Sequence, residues 1–248
     1  MSPKRVKRLD LLLNPGSSLA MRFLCLALFL CLAAACGRPL TPNERAFVQD
    51  VQGDQVDPRR VRFHEGLWAA AVTYQRPIRP RLTCMERIFP PSRGETVTVQ
   101  PGAMALFNHV YYREDLYLDD YMAEYPERIN LYAAMLMAHE MTHVWQWQNR
   151  ARTGYTPLKA ASEHGRTADP YLFDPQGQSR FLDYGFEQQG ALVEEYVCCR
   201  LLDPEAPRTR RMRAMISEAM PLAGLETAIS RPALILPWDG AETAKICH

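Results

Sequence analysis

The chain has 248 residues, of which 47% are hydrophobic and 23% are charged, and its formal net charge is +1. This composition is typical of a globular protein and excludes a disordered, collagenous or small disulfide-rich chain. The near-neutral charge provides no basic surface, so we expect no nucleic-acid partner. A chain of this length can bury a sizeable core in one domain, or in two at most.

The N-terminal segment is typical of an exported protein. Basic residues at positions 4–8 precede an apolar run of 13 residues, 23–35. A membrane-spanning helix needs about 20 apolar residues, so the run predicts a secretory signal. Small residues lead directly to Cys36, as in a bacterial lipoprotein signal, and we expect a lipid anchor on Cys36. Ordinary export after cleavage of the alanine run is the alternative.

The signal defines the predicted organisation of the chain. Residues 1–36 form the signal peptide, and residues 37–248 form a single domain that is exported to the periplasm or the outer membrane. After export, four cysteines remain: Cys84, Cys198, Cys199 and Cys247. In an oxidising compartment they predict two disulfides with three possible pairings, and we expect the adjacent Cys198 and Cys199 to reach different partners.

The predicted elements run from strands to helices. Thr41, Pro42 and Glu44 form the N-cap, first turn and capping box of a short helix that extends to about Asp50. Alternating and β-branched residues predict the strands, and apolar periodicity predicts the helices. The strands are 59–64, 95–99 and 103–112, the helices are 127–150, 181–202 and 208–223, and 151–180 is a loop. This order predicts an α+β fold.

The long helix carries the sequence His139-Glu140-Met141-Thr142-His143, an HExxH motif. Residues four apart lie on the same helix face, so both imidazoles can bind one cation. Glu140 lies a quarter turn away, where it can act as a base toward a group on the metal. This pattern predicts a Zn²⁺ site. The alternative is an ordinary pair of core histidines, but two histidines and a glutamate inside an apolar helix are costly to bury without a polar partner.

The third zinc ligand is expected on the next helix. Glu187 is the leading candidate, and Glu194 lies on the same face two turns later. The other candidates for this ligand are Asp183, Glu195 and His164.

Together, HEMTHVWQWQ and FEQQGALVEEY resemble gluzincin-like bacterial metallopeptidases, some of which carry the label Vgr-related. The resemblance covers roughly residues 100–200. It implies a zincin-like fold, in which a small sheet precedes the active-site helix and a second helix carries the third ligand. It also implies His139, His143 and Glu187 as zinc ligands and Glu140 as the general base. The family's aspartate four residues after the ligand glutamate is Ala191 here, so we expect Glu194 to orient a histidine.

A peptidase also needs a donor for the developing oxyanion. Tyr184, Tyr196 and His164 are the candidates near the motifs. The sequence therefore predicts a zinc-dependent hydrolase, a peptidase that cleaves peptide or protein substrates at the cell envelope. The alternative is an inactive zincin-fold envelope lipoprotein with a binding or structural role.

Overall fold

The computed structural model describes residues 37–167, 169–229 and 232–248. The expected signal peptide, including the lipidation site Cys36, lies outside the described residues. None of the described helices is long and apolar enough to cross a membrane.

Four strands form a mixed sheet: β1 Arg38–Pro39, β2 Arg62–Glu65, β5 Ala103–Leu106 and β6 His109–Tyr112. The strand order is β1-β2-β6-β5, with β2 and β6 parallel and the other neighbours antiparallel. Phe63, Val110 and Tyr112 are fully buried in this sheet.

Two further pairs of strands lie outside this sheet. The antiparallel pair joins β3, Tyr74–Pro77, to β4, Thr96–Val99. The parallel pair joins β7, Arg128–Asn130, to β8, Ala233–Ile235, and so brings the C-terminal region beside the start of the central helix.

Two long helices form the centre of the core. Helix α3 spans Leu131–Gln148 and packs against α6, Phe186–Leu202. Most of α3 is buried around its whole circumference, as expected for a helix that is apolar on every side. The other helices are α1 Pro42–Gln52, α2 Cys84–Arg87, α4 Arg150–Thr153, α5 Pro157–Glu163, α7 Pro207–Ile216 and α8 Ala223–Ala228.

The structure confirms the α+β class and several predicted elements. Helix α1 has the predicted capping box, in which Glu44 N donates to Thr41 Oγ1 and Thr41 N donates to Glu44 Oε2. Strand β4 matches the prediction to within one residue. The predicted strand 59–64 is shifted, because residues 58–60 form a 3-10 turn before β2.

The remaining differences arise from residues that interrupt regular structure. The predicted strand 103–112 is a hairpin, since Phe107 adopts a positive φ of 60° between β5 and β6. Helix α3 begins only at Leu131, where the Asn130 side chain accepts from Ala133 N and caps it. The helix predicted from residue 181 begins at Phe186, because Gly185 is its N-cap. The loop predicted at 151–180 contains α5, and the helix predicted at 208–223 ends at Ile216.

Two disulfides join α6 to other parts of the chain. They pair Cys84 with Cys198 and Cys199 with Cys247, so the adjacent cysteines reach different partners, as expected. The first disulfide connects α6 to α2. The second connects it to the C-terminal residues, and all four cysteines are fully buried.

Candidate metal centre

Helix α3 places three polar side chains in an apolar interior. His139, Glu140 and His143 are only 6%, 5% and 6% exposed. One helical turn separates the histidines, so their rings lie on the side that faces α6, with centroids 5.1 Å apart. Burying such groups costs several kcal/mol unless each has a polar partner. The partners come from α6 and from α3 itself.

Glu187, in the first turn of α6, lies between the two imidazoles. Its Oε2 is 3.2 Å from His143 Nε2 and 3.5 Å from His139 Nε2. Ligand atoms around a tetrahedral zinc ion, at bond lengths of about 2.0–2.1 Å, are roughly 3.3 Å apart. The three donor atoms therefore have the chemical types and the separations of a zinc site, and they are one of two groups among the described residues that are close enough for a metal.

The second group consists of cysteine sulfurs from both disulfides, at Cys84, Cys199 and Cys247. Disulfide sulfurs are not thiolates, and thiolate is the form in which cysteine binds metals. The histidine and glutamate group is therefore the candidate metal centre.

The opposite nitrogen of each imidazole has its own partner. Glu194 Oε2 lies 3.0 Å from His139 Nδ1, and Gln146 Oε1 lies 2.9 Å from His143 Nδ1. Each oxygen can accept a hydrogen bond from an Nδ1–H group, which is the tautomer that presents the Nε2 lone pair to a metal. Gln146 Nε2 also donates to the Phe186 carbonyl and to Gln189 Oε1, at 3.0 and 3.1 Å, and so links the two helices beside the centre.

Two residues outside the predicted set position α6. The Glu163 carboxylate, at the end of α5, accepts from the backbone N–H groups of Phe186 and Glu187 at 2.9 and 3.1 Å. An anion at a helix N-terminus is favourable. Gly190 lets α6 approach α3 closely, because a Cβ there would lie 2.8 Å from His139 Nε2. A glycine inside a helical pattern is the sequence signal that could have identified this contact.

The charges of the centre are strongly coupled. Burial opposes protonation of His139, but hydrogen bonds to Glu187 and Glu194 outweigh burial and raise its pKa to about 10. Burial alone would raise the pKa of Glu187, yet the two histidines hold it well below its usual range. In the metal-free chain, an ionised Glu187 thus stabilises positive charge on the imidazoles, the position that a cation would take.

Glu140 differs from the other polar groups of the centre. Its Oε2 is buried and has no hydrogen-bond partner among the described residues. Burial raises the pKa of this carboxyl, and the neighbouring histidines oppose that rise. An unpartnered buried carboxylate oxygen is costly, so its position favours a role toward a bound group.

Two cavities adjoin at the metal centre. The smaller has a volume of about 230 Å³ and includes His139 in its wall, and the larger has about 490 Å³ and includes His143 and Glu187. Glu140 and Tyr171 line both cavities, so the two form one cleft across the centre. A ligand in this cleft would contact the zinc site from either side.

Of the three residues predicted as oxyanion donors, Tyr184, Tyr196 and His164, only His164 lines the cleft. Tyr196 is fully buried and its hydroxyl donates to Glu226, and neither Tyr196 nor Tyr184 lines the cleft. His164 does line the larger cavity, and its Nε2 lies 3.1 Å from the Tyr171 hydroxyl.

Sequence reasoning missed Tyr171, whose ring centroid is 5.7 Å from that of His139. The segment around it is held by Asp169, which accepts two hydrogen bonds from Arg79. Nothing in the local sequence distinguishes Tyr171 from the other tyrosines.

The chain is similar to a known protein by sequence and to a solved domain by structure. The chain is 25% identical over 164 residues to the type VI secretion system spike protein VgrG2b of Pseudomonas aeruginosa. That match includes 66% of this chain but only 13% of the relative's length. The solved effector domain of the same VgrG2b aligns over 74% of this chain and 84% of its own, with 24% identity and a TM-score of 0.46. No family model matches the chain.

The sequence comparison overturns the resemblance drawn from the motifs. The relative is described as a type VI secretion system spike protein, and not as a gluzincin, a peptidase or an envelope lipoprotein. The predicted peptidase acting at the cell envelope is therefore wrong, and so is its alternative, the inactive envelope lipoprotein. The prediction failed because HEMTHVWQWQ and FEQQGALVEEY cover only parts of two helices and leave the rest of the chain unspecified. The chain is similar, over about two thirds of its length, to part of VgrG2b.

Proposed function

We propose that this chain is a zinc-dependent effector domain that functions with a type VI secretion spike. The observation that supports it most strongly is the convergence of His139 Nε2, His143 Nε2 and Glu187 Oε2 at the separations of a zinc site. These three residues would hold the zinc ion, which would supply a Lewis acid toward an oxygen of the ligand. The sequence similarity to the spike protein VgrG2b supports the secretion context.

The residues around the centre have separate tasks in this proposal. Glu194 and Gln146 keep the two imidazoles in the orientation and tautomer that present Nε2. Glu140, with its unpartnered Oε2 in the cleft, exchanges a proton with the group that binds there. Tyr171 and His164 are two residues of the cleft wall that can donate a hydrogen bond to that group.

We place the action of the domain in the periplasm. The two buried disulfides support this location, since such bonds form and persist in oxidising compartments and are rare in the cytosol. The finer description of the fold, a zincin-like arrangement, also belongs to the proposal. A small sheet precedes the helix of the two histidines, and the next long helix supplies the third ligand.

Metal analysis of the purified chain tests the centre. We expect one zinc ion per chain, with affinity reduced roughly 100-fold or more in Glu187→Ala. Glu140→Gln should retain zinc, because Glu140 is not among the ligands. The matched control is Glu205→Ala, which removes a carboxylate whose side chain is 88% exposed. A wild-type chain that binds no zinc would overturn the proposal.

A growth assay tests the effector role. The chain is produced in bacteria with a periplasmic signal or without one, as wild type and as His139→Ala. Growth should be inhibited only by the periplasmic wild type, because only that form has both the oxidised cysteines and the metal. Equal growth of all four strains would contradict the role.

A further inference from the structure

The two cavities that adjoin at the metal centre differ in chemistry. The larger is lined mainly by short or apolar side chains, and none of the described residues in its wall is a lysine or an arginine. Its acidic and imidazole side chains are Glu140, His143 and Glu187 at the metal centre, and His164. Three tyrosines also line it: Tyr74, Tyr155 and Tyr171. The apolar wall residues include Ala103, Ala105, Pro157, Leu158, Ala160 and Ala161. Away from the centre, this wall offers few partners to a polar group and favours an apolar one.

The mouth of the larger cavity is also apolar. Trp68, on the 3-10 turn Trp68–Ala71, is 70% exposed, and Leu158, in the first turn of α5, is 80% exposed. Both line the same cavity that ends at the metal centre. Large apolar side chains that remain exposed beside an apolar cavity are typical of a ligand site. A chain that follows this cavity outward would cover both.

The smaller cavity carries charge instead. The charged and imidazole side chains in its wall are Arg76, Arg79, Glu86, His139, Glu140, Glu194 and Glu195. Arg79 is occupied by Asp169 and Glu86. Arg76 donates to the Pro77 carbonyl, and no carboxylate lies within ion-pair distance of it among the described residues. Burial and the charge of Arg79 lower the pKa of Arg76, so an anion beside it would stabilise its charge.

From these contrasts we propose that the site takes an amphipathic acidic ligand that spans the cleft. An aliphatic or aromatic chain of the ligand occupies the larger cavity, and an acidic group of the same ligand pairs with Arg76. A ligand oxygen between these two parts lies at the metal centre beside Glu140. This inference rests on the proposed zinc centre and adds the chemical class of its ligand.

Calorimetry on the full, zinc-loaded chain tests the apolar arm. The probes are straight-chain hydroxamates from acetyl to octanoyl, whose head group chelates zinc. Each methylene that enters the larger cavity should tighten binding about fourfold, until the cavity is filled. Leu158→Asp should weaken the octanoyl probe and leave the acetyl probe unchanged. Leu82→Asp, at a 54% exposed leucine outside the cavity, is the matched control.

A second probe pair tests the acidic arm. A 2-hexyl succinyl hydroxamate with a free carboxylate should bind more tightly than its carboxamide analogue, by a factor of about ten or more. Arg76→Gln should abolish that difference, whereas Arg93→Gln should preserve it, because Arg93 does not line the cleft.

The outcomes separate the two proposals. A chain that binds neither zinc nor acetohydroxamate refutes the zinc centre. A chain that binds both, but shows the same affinity at every chain length or for acid and amide alike, refutes the amphipathic ligand and leaves the zinc centre intact.

Discussion

Glu194 Oε2 lies 3.0 Å from His139 Nδ1, two helical turns beyond Glu187 on the same helix. One face of α6 thus supplies both the carboxylate that approaches His139 Nε2 and the carboxylate that holds His139 Nδ1. The imidazole is fixed between two acidic side chains. Its orientation therefore depends on how α6 packs against α3.

Removing the outer carboxylate should weaken the metal site without destroying it. We expect Glu194→Ala to lower zinc affinity about 10- to 100-fold, because His139 loses the acceptor that fixes its tautomer and raises its basicity. Competition calorimetry with a chelator of known affinity measures the change. Glu205→Ala should bind zinc like the wild type, and equal affinity in both variants would exclude an orienting role for Glu194.

The close approach of α6 to His139 makes Gly190 sensitive to any side chain. In Gly190→Ala, the new Cβ would meet three ring atoms of His139 at 2.8 to 3.0 Å. Alanine favours a helix by about 1 kcal/mol over glycine, so the metal-free chain loses less stability than the clash alone implies. The substitution should reduce the free energy of zinc binding by more than it reduces the free energy of unfolding of the metal-free chain, measured in urea. Gly165→Ala, where the nearest atom is 3.8 Å away, is the control. Unchanged zinc affinity would show that the ring can move aside.

The disulfides should differ in their contribution to stability. Cys84 and Cys198 are separated by 114 residues, and Cys199 and Cys247 by 48. In the loop-entropy description, the longer loop gives about 1 kcal/mol more stabilisation. We therefore expect each pair of substitutions to destabilise the chain by several kcal/mol. The loss should be about 1 kcal/mol larger for Cys84→Ala with Cys198→Ala than for Cys199→Ala with Cys247→Ala. Urea unfolding of both paired variants, each free of unpaired cysteines, measures this. The opposite order would mean that local packing outweighs loop length.

Stability should depend on pH through Glu195. This buried carboxylate accepts from Cys84 N and from Arg208 Nη1, but burial outweighs both and raises its pKa to about 7. The folded chain then holds the proton more tightly than the unfolded chain, whose glutamate has an ordinary pKa of about 4.3. This difference in pKa therefore adds to the free energy of unfolding. The contribution is full below the pKa of the unfolded chain and is lost as the pH rises toward 7.

A glutamine at position 195 cannot titrate and provides the comparison. The free energy of unfolding of the wild type, relative to Glu195→Gln, should therefore fall between pH 5 and pH 8. Urea unfolding of the metal-free proteins over this range checks the sign. A relative stability that rises with pH would mean that Arg208 holds Glu195 ionised.

The sequence by itself determined the local features of this protein. The capping box at Thr41 and Glu44, the buried character of α3 and the α+β order follow from residue types and spacing over a single turn or strand. The proximity of His139 and His143 is also a local feature, because two side chains four residues apart lie on the same face of a helix. Sequence reasoning also proposed Glu187 and Glu194, from the face they share on a later helix.

Only the tertiary structure decided which residues that are distant in sequence come into contact. The contacts of Glu187 and Glu194 with His139, the capping of α6 by Glu163 and the place of Tyr171 in the cleft join residues far apart in sequence. The hairpin at Phe107, the strand pair β7–β8 and the pairing of the cysteines depend in the same way on distant partners. Local propensity acts over a few residues, whereas these contacts are selected by the packing of the whole core, whose free energy is shared among many side chains.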